Sequence, residues 1–317
     1  MKDINEIGIV GLGIMGSSIA TCLLAQGYKV TCLIQDLSTT QQAKDRILGN
    51  LKQLHHEALI LVDPNRVLSN LFVTDDIKNL GHHEIIIESI VENLEAKKRV
   101  YSQLEKVLSS NAIIGSNTSG IPVSILQEGM VHPERLIGIH WAEPAHVTRF
   151  MEVICGKNSS LKFAKKVIEL ASNWGKEPTL VKRDIRGFIS NRLMYAMMRE
   201  AFYLVEKKYA TYEDIDRACR NDLGAWITLA GPFRFMDLTG IPAYLSVMKD
   251  LFPELSNSNV APDFIEKLVS SGARGVSNAH GFYQYTDKSA DRWEKKFHKF
   301  SYDIRKLSEK YSTDQDS

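Results

Sequence analysis

Short aliphatic runs without polar alternation recur through the first half of the chain. IGIV (7–10), KVTCLI (29–34), EIIIES (84–89), AIIGS (112–116), LIGIH (136–140), MEVI (151–154) and TLV (179–181) each read as a strand. Unbroken Ile and Val marks strands covered on both faces. Stretches of helical period lie between several of them, such as LEAKKRVYSQLEKVL (94–108) and LKFAKKVIELASNW (161–174). This alternation predicts an α/β domain over 1–186, a mostly parallel sheet with helices on both sides. After about Arg186 the strands stop. FISNRLMYAMMREAFYLVEK (188–207) has a long helical period, and TYEDIDRACRNDL (211–223) opens with Thr211 and Asp214, close to a capping box. Further helices are expected over 241–250, 262–271 and 290–309. The second domain, 187–317, is therefore all-α. Its apolar residues outnumber what so short a helical domain buries alone, which predicts a partner chain.

The apolar stretch IGIVGLGIMGSSIATCLLA (7–25) could pass for a signal peptide or a short membrane span. Asp3 and Glu6 stand before it, where a signal peptide carries positive charge, and four glycines interrupt it. It reads as strand, turn and buried helix, and no other run approaches a membrane span in length. A formal net charge of +1 argues against nucleic acid or an anionic membrane as the main partner, leaving a small molecule. Cys22, Cys32, Cys155 and Cys219 lie far apart with no CxxC pair. That pattern fits a reducing, cytoplasmic setting, with neither a disulfide framework nor a cysteine metal site. His55, His56, His82 and His83 read as solvated residues without ligand spacing, so no metal is expected.

GLGIMG spans Gly11, Leu12, Gly13, Ile14, Met15 and Gly16 and fits GxGxxG. Alone the pattern is weak. Here it follows a strand and opens a helix, the context that gives it meaning. Gly11 permits the tight turn, Gly13 lets a pyrophosphate approach the backbone, and Gly16 lets helix and strand pack. The helix N-terminus then stabilises the phosphates. The first domain is thus a Rossmann-type dinucleotide-binding domain. An acid ending the second strand normally bonds the adenosine ribose. Ile34 stands in that place, and Asp36, two residues later, is the candidate substitute. No Arg or Lys follows the strand to receive a 2′-phosphate, so NAD is favoured over NADP.

Ligands of open parallel sheets bind outside the carboxyl ends of the strands. Four polar clusters fall there: the glycine loop, Glu92 with Lys97, SNTSG (116–120) with Asn117 and Ser119, and His140. SNTSG also suits a helix cap, and Glu92 with Lys97 also suits a solvated ion pair. His140 and Glu152 stand twelve positions apart, one ending a strand and one within the next. Oxidising an alcohol requires a base for the hydroxyl proton, and histidine titrates near the right pH. A carboxylate on its far nitrogen fixes the tautomer. Spacing alone leaves a catalytic dyad and two unrelated polar residues equally open.

At these residues the sequence resembles the 3-hydroxyacyl-CoA dehydrogenase family. The segments are GLGIMG, ESIVENLEAKK (88–98), SNTSG, GIHWAEP (138–144) with MEVICG (151–156), DIRGFISNR (184–192) and GPFRFMDLTG (231–240), and the likeness extends to HGFYQY (280–285). The helix NRLMYAMMREAFYLVE also resembles the lambda-crystallin and gulonate dehydrogenase branch, which acts on small 3-hydroxy acids. The resemblance implies His140 as catalytic base, Glu152 as its orienting carboxylate, and Ser119 and Asn191 on the substrate's reacting oxygen and carbonyl. It implies Glu92 and Lys97 at the cofactor, a homodimer, and NAD-dependent oxidation of a 3-hydroxyacyl-CoA or of a small 3-hydroxy acid. A departure from the family pattern is Glu143, which replaces the usual Asn before the proline; it either puts an acceptor-only group at the substrate, changing the preference, or turns to solvent. Coenzyme A would need cations at the cleft mouth; Lys44, Arg46 and Lys52 are candidates that equally suit a solvated helix.

Two rival readings are weaker. The 3-hydroxyisobutyrate and 6-phosphogluconate dehydrogenases share GLGxMG but use a lysine on a helix, and no matching helix occurs here. A non-catalytic dinucleotide-binding protein shares the fold, yet needs no general base and so no reason to keep Ser119, His140, Glu152 and Asn191 together.

Overall fold

In the computed structural model, which describes residues 4–311, the chain divides between Ile189 and Ser190 into two units. The first holds strands β1 (Glu6–Val10), β2 (Lys29–Leu33), β3 (Leu71–Thr74), β4 (Ile85–Glu88), β5 (Ile113–Ser116), β6 (Leu136–Trp141), β7 (Phe150–Cys155) and β8 (Glu177–Val181). They form one sheet in the order β3-β2-β1-β4-β5-β6-β7-β8. All neighbours are parallel except the antiparallel pair β6 and β7. The chain winds outward from β1 to β3, then returns beside β1 as β4. That reversal opens the crevice between β1 and β4 where doubly wound sheets take their ligands.

The unbroken aliphatic strands are buried as expected: every residue of β4, β5 and β6 is buried. Helices α1 (Ile14–Ala25), α2 (Thr40–His56), α3 (Pro64–Leu68), α4 (Leu94–Val107), α5 (Val123–Leu126) and α6 (Leu161–Asn173) cover the sheet. Gly16 to Leu24 of α1 is continuously buried, which accounts for its hydrophobic run. One core layer joins Tyr101 and Leu104 of α4 to Ile86, Ile114, Leu136 and Phe188. Each such aliphatic or aromatic side chain contributes roughly 1.5–3 kcal/mol on burial.

The second unit comprises α7 (Ser190–Glu206), α8 (Tyr212–Ala218), α9 (Gly224–Ile227), α10 (Gly231–Thr239), α11 (Ile241–Leu251), α12 (Asp263–Ser270) and α13 (Asp287–Lys310). Thr211 caps α8 by accepting from the Asp214 N–H. A π-turn, Cys219–Leu223, carries α8 into α9. Among the described residues of this unit only Ala290 and Tyr302 are buried. Phe233, Leu238 and Leu193 are 79%, 71% and 60% exposed, apolar surface of the kind that marks interaction faces. No helix among the described residues is long and apolar enough to cross a membrane.

Candidate functional site

The register of the parallel strands aligns Val10 with Glu88, Glu88 with Ser116, and Ser116 with Gly138. The four polar clusters at the carboxyl ends of β1, β4, β5 and β6 therefore share one edge. Asn117 knits that edge together. Its amide nitrogen donates to the Ser89 hydroxyl at 3.1 Å, and its oxygen accepts from the Trp141 N–H at 3.2 Å.

The glycine loop fits a dinucleotide. A Cβ on Gly11 would lie 2.5 Å from the Ser89 carbonyl oxygen, and one on Gly16 only 2.1 Å from that of Gly11, so neither position admits a side chain. At Gly13 a Cβ would meet nothing within 4 Å. That is open space before the first turn of α1, whose N–H groups no side chain caps. Leu12 is buried, whereas Ile14 is 66% exposed. Ile34 is buried and offers a ribose nothing. Asp36, two residues further on, is exposed, and hydrogen bonds from Ser38 hold its carboxyl below the usual range.

Glu92 and Lys97 differ from expectation. The Lys97 side chain is fully buried, 2.7 Å from Glu88 Oε1 and 3.3 Å from Glu92 Oε2. It presents no surface to a ligand, so its expected cofactor contact is replaced by this internal bridge. The bridge exists because Glu88 is also fully buried and takes four donors: the Ile90 N–H, Lys97, the Tyr101 hydroxyl and the Ser116 hydroxyl. Glu92 remains partly exposed. Burial pushes its carboxyl up, but the Thr118 hydroxyl and the Lys97 ammonium outweigh this, and the net position is below the usual range. Its Oε1 also accepts from the Ser119 and Gly120 N–H groups at 3.1 and 3.3 Å. A chain of polar contacts thus runs from the buried Glu88 to the loop bearing Ser119.

His140 and Glu152 face each other across the antiparallel pair β6 and β7. His140 Nδ1 lies 2.8 Å from Glu152 Oε2, with His140 7% and Glu152 1% exposed. A carboxylate only accepts, so Nδ1 carries a proton, and in the neutral ring Nε2 holds the lone pair. The second carboxylate oxygen accepts from the Ile189 N–H at 2.9 Å. Gly187 (φ 81°) and Phe188 (φ 51°) turn the chain to deliver that amide. The left-handed Phe188 costs on the order of 1–3 kcal/mol, offset by its full burial. The rings of Phe188 and Phe150 each sit 5.6 Å from the His140 ring and hold it in place.

Glu143 is exposed, in the loop after β6. Surrounding protein pushes its carboxyl above the ordinary range, opposed by the Arg46 guanidinium. Arg46 itself donates to the Ser17 hydroxyl of α1 at 3.1 Å. Asn191 is the second residue of α7 in the second unit, two residues after Ile189 in the chain. Sequence reasoning missed Glu88, whose signal was an acid ending an all-isoleucine strand. It also missed Phe188 and the Ile189 amide, the latter a backbone group with no side-chain signature. His83, expected to be solvated, is 3% exposed.

Comparison with known proteins agrees with this construction. Residues 6–185 match the 3-hydroxyacyl-CoA dehydrogenase NAD binding domain, and residues 187–285 match the C-terminal domain of the same family. The 5-formyl-3-hydroxy-2-methylpyridine 4-carboxylate 5-dehydrogenase of Mesorhizobium japonicum is 33% identical over 285 residues, 89% of this chain and 91% of that protein. A probable 3-hydroxybutyryl-CoA dehydrogenase of Deinococcus radiodurans is 30% identical over 281 residues, 88% of this chain and all of that one. Among solved structures, a 5-formyl-3-hydroxy-2-methylpyridine 4-carboxylic acid 5-dehydrogenase described as an NAD+-dependent dismutase superposes with a TM-score of 0.88. It is 28% identical, covering 96% of this chain and 99% of that one. With a Rossmann-type NAD-binding domain, a helical C-terminal domain and matches to both domain models of one family, this chain belongs to the 3-hydroxyacyl-CoA dehydrogenase family of NAD-dependent oxidoreductases.

Proposed function

We propose that this protein oxidises the hydroxyl of a small free acid, or reduces the corresponding carbonyl, with His140 as base and Glu152 as its orienting carboxylate. The observation that carries the reading is the buried relay from His140 Nδ1 through Glu152 to the Ile189 amide. NAD+, when bound, accepts the hydride that leaves the carbinol carbon. His140 Nε2 takes the hydroxyl proton, and Glu152 stabilises the imidazolium that forms. In reverse the imidazolium donates. Ser119 and Asn191 bond the substrate oxygen and carbonyl, as the matching family positions imply. Gly11 to Gly16, Asp36, Glu92 and Asn117 hold the cofactor side, with Lys97 acting through Glu92.

Two features support a free acid over a thioester. Glu143 places a carboxyl where the family usually has Asn. Arg46 is turned inward to Ser17 rather than outward for a coenzyme A phosphate. The similarity to a pyridine carboxylate dehydrogenase supports the same reading. A 3-hydroxyacyl-CoA substrate is the second reading, supported by the Deinococcus relative. NADH oxidation with acetoacetyl-CoA and with free acetoacetate, run side by side, separates them. A panel of hydroxy acids including carnitine and gulonate, and of carboxylated aromatic aldehydes with NAD+, follows. Turnover within the panel and none on the thioester supports the free acid; fast turnover on the thioester alone overturns it. His140→Gln should lose orders of magnitude in turnover while still binding NADH, and unchanged turnover would overturn the dyad.

The exposed apolar surface of the second unit supports a homodimer. Sedimentation at micromolar concentration should give twice the chain mass, and a monomer at every concentration would refute this. Four unpaired cysteines support a cytoplasmic setting.

A further inference from the structure

We infer that Glu6, His82 and His83 form a binding site for a divalent first-row metal ion, zinc in the first instance, at the sheet edge opposite the dehydrogenase cleft. Glu6 opens β1, and the two histidines lie in the turn before β4, the strand beside it. One donor atom from each of the three residues lies within 4.8 Å of those of the other two.

His83 carries the argument. It is buried, and its Nδ1 lies 3.2 Å from the Leu80 carbonyl oxygen. A carbonyl only accepts, so Nδ1 holds the proton and Nε2 holds a lone pair. That Nε2 is buried and has no hydrogen-bond partner, an arrangement that disfavours folding unless something takes the lone pair. Metal-binding histidines repeatedly show this pattern, one nitrogen tied to a backbone carbonyl and the other on the ion. The His82 ring lies against that of His83, centroids 4.1 Å apart, and its Nε2 is 3.1 Å from Glu6 Oε2. Two imidazoles and one carboxylate suit zinc, with water completing the tetrahedron. Lys29 is the competing cation, 3.3 Å from Glu6 Oε1, but its side chain is 68% exposed and free to swing away. A bound ion would tie the start of β1 to the turn ahead of β4. It would stabilise the first unit without entering the reaction.

The test is calorimetric titration of the full chain, free of any polyhistidine tag, with zinc chloride, alongside thermal unfolding and NADH turnover. One ion should bind per chain. At a hundredfold excess over Kd the Tm should rise by about 5 °C, with turnover unchanged. Both responses should vanish in the Glu6→Gln/His82→Gln double variant. Its two altered side chains are on the surface, so its zinc-free Tm and turnover should match those of the parent. Zinc-edge X-ray absorption should report two imidazoles. Absence of binding at millimolar zinc would overturn the inference. So would binding undiminished in the double variant, which would place the ion elsewhere, at His55 and His56 or at Cys219.

Discussion

Replacing Glu152 by Gln tests the relay at its centre. Both carboxylate oxygens accept in the native site, Oε2 from His140 and Oε1 from the Ile189 N–H. Glutamine offers one acceptor and one donor in the same volume. If its oxygen faces His140, the Ile189 N–H meets an NH2 group and loses its acceptor, a net cost of about 1 kcal/mol. If its NH2 faces His140, the imidazole must accept at Nδ1 and carry its proton on Nε2, where it cannot act as a base. Imidazole tautomers exchange at little cost, so the second arrangement wins. The variant should fold normally and bind NADH normally, yet lose on the order of 10³- to 10⁴-fold in kcat, about 4–5.5 kcal/mol of barrier. Steady-state NADH kinetics on whichever substrate the panel identifies gives kcat, fluorescence quenching gives NADH affinity, and a thermal melt gives stability. A loss below tenfold with an unchanged Tm would show that neither donor relies on Glu152, and the relay would be refuted.

Other perturbations probe the scaffold around it. Gly11→Ala forces a Cβ to within 2.5 Å of the Ser89 oxygen at a φ of +96°. It should destabilise by more than about 1 kcal/mol and weaken NADH binding, read by melting and fluorescence titration. Lys97→Met leaves Glu88 charged and buried, and should cost roughly 3–5 kcal/mol in urea unfolding. The Glu88→Gln/Lys97→Met double variant should recover much of it. The lowered Glu92 carboxyl contributes stability that is present above roughly pH 4.3 and lost as pH falls through its folded value. Glu92→Gln should therefore be less stable than the parent at neutral pH and should lose less between pH 5 and pH 3, and parallel acid melts would contradict this.

The parallel sheet was legible because isoleucine runs such as EIIIES have only one stable destination, between two helical layers. β3 was not legible. LFVT is four residues long, sits at the sheet edge, and turns Phe72 55% toward solvent. In the helical domain α11, α12 and α13 fall within three residues of the spans expected from periodicity, because amphipathic faces carry that signal even when little is buried within the chain. The glycine loop and His140 were legible as local chemistry. What composition could not convey was pairing. Lys97 looked like a surface cation because its partner, Glu88, is hidden at the end of an apolar strand. His83 looked solvated because its burial comes from packing against Gly8 and from Leu80 in the turn before it.

The one antiparallel pair in the first unit explains why His140 and Glu152 meet. A parallel strand after β6 would need a crossover of a dozen or more residues and would run back to the carboxyl edge at its far end. An antiparallel strand turns within residues 142–149 and begins at that edge, so its third residue stands opposite the fifth residue of β6. Side chains directly opposite in an antiparallel pair share a face with Cβ atoms about 5 Å apart, which suits an imidazole reaching a carboxylate. A one-residue slip would send Glu152 to the other face. The register is held against that slip by Met151, Val153 and Ile154, all fully buried, and by β8 pairing along the far side of β7. The carboxylate is therefore positioned by strand register as much as by its own hydrogen bonds. That is why a single side-chain substitution at Glu152 should alter chemistry while leaving the fold in place.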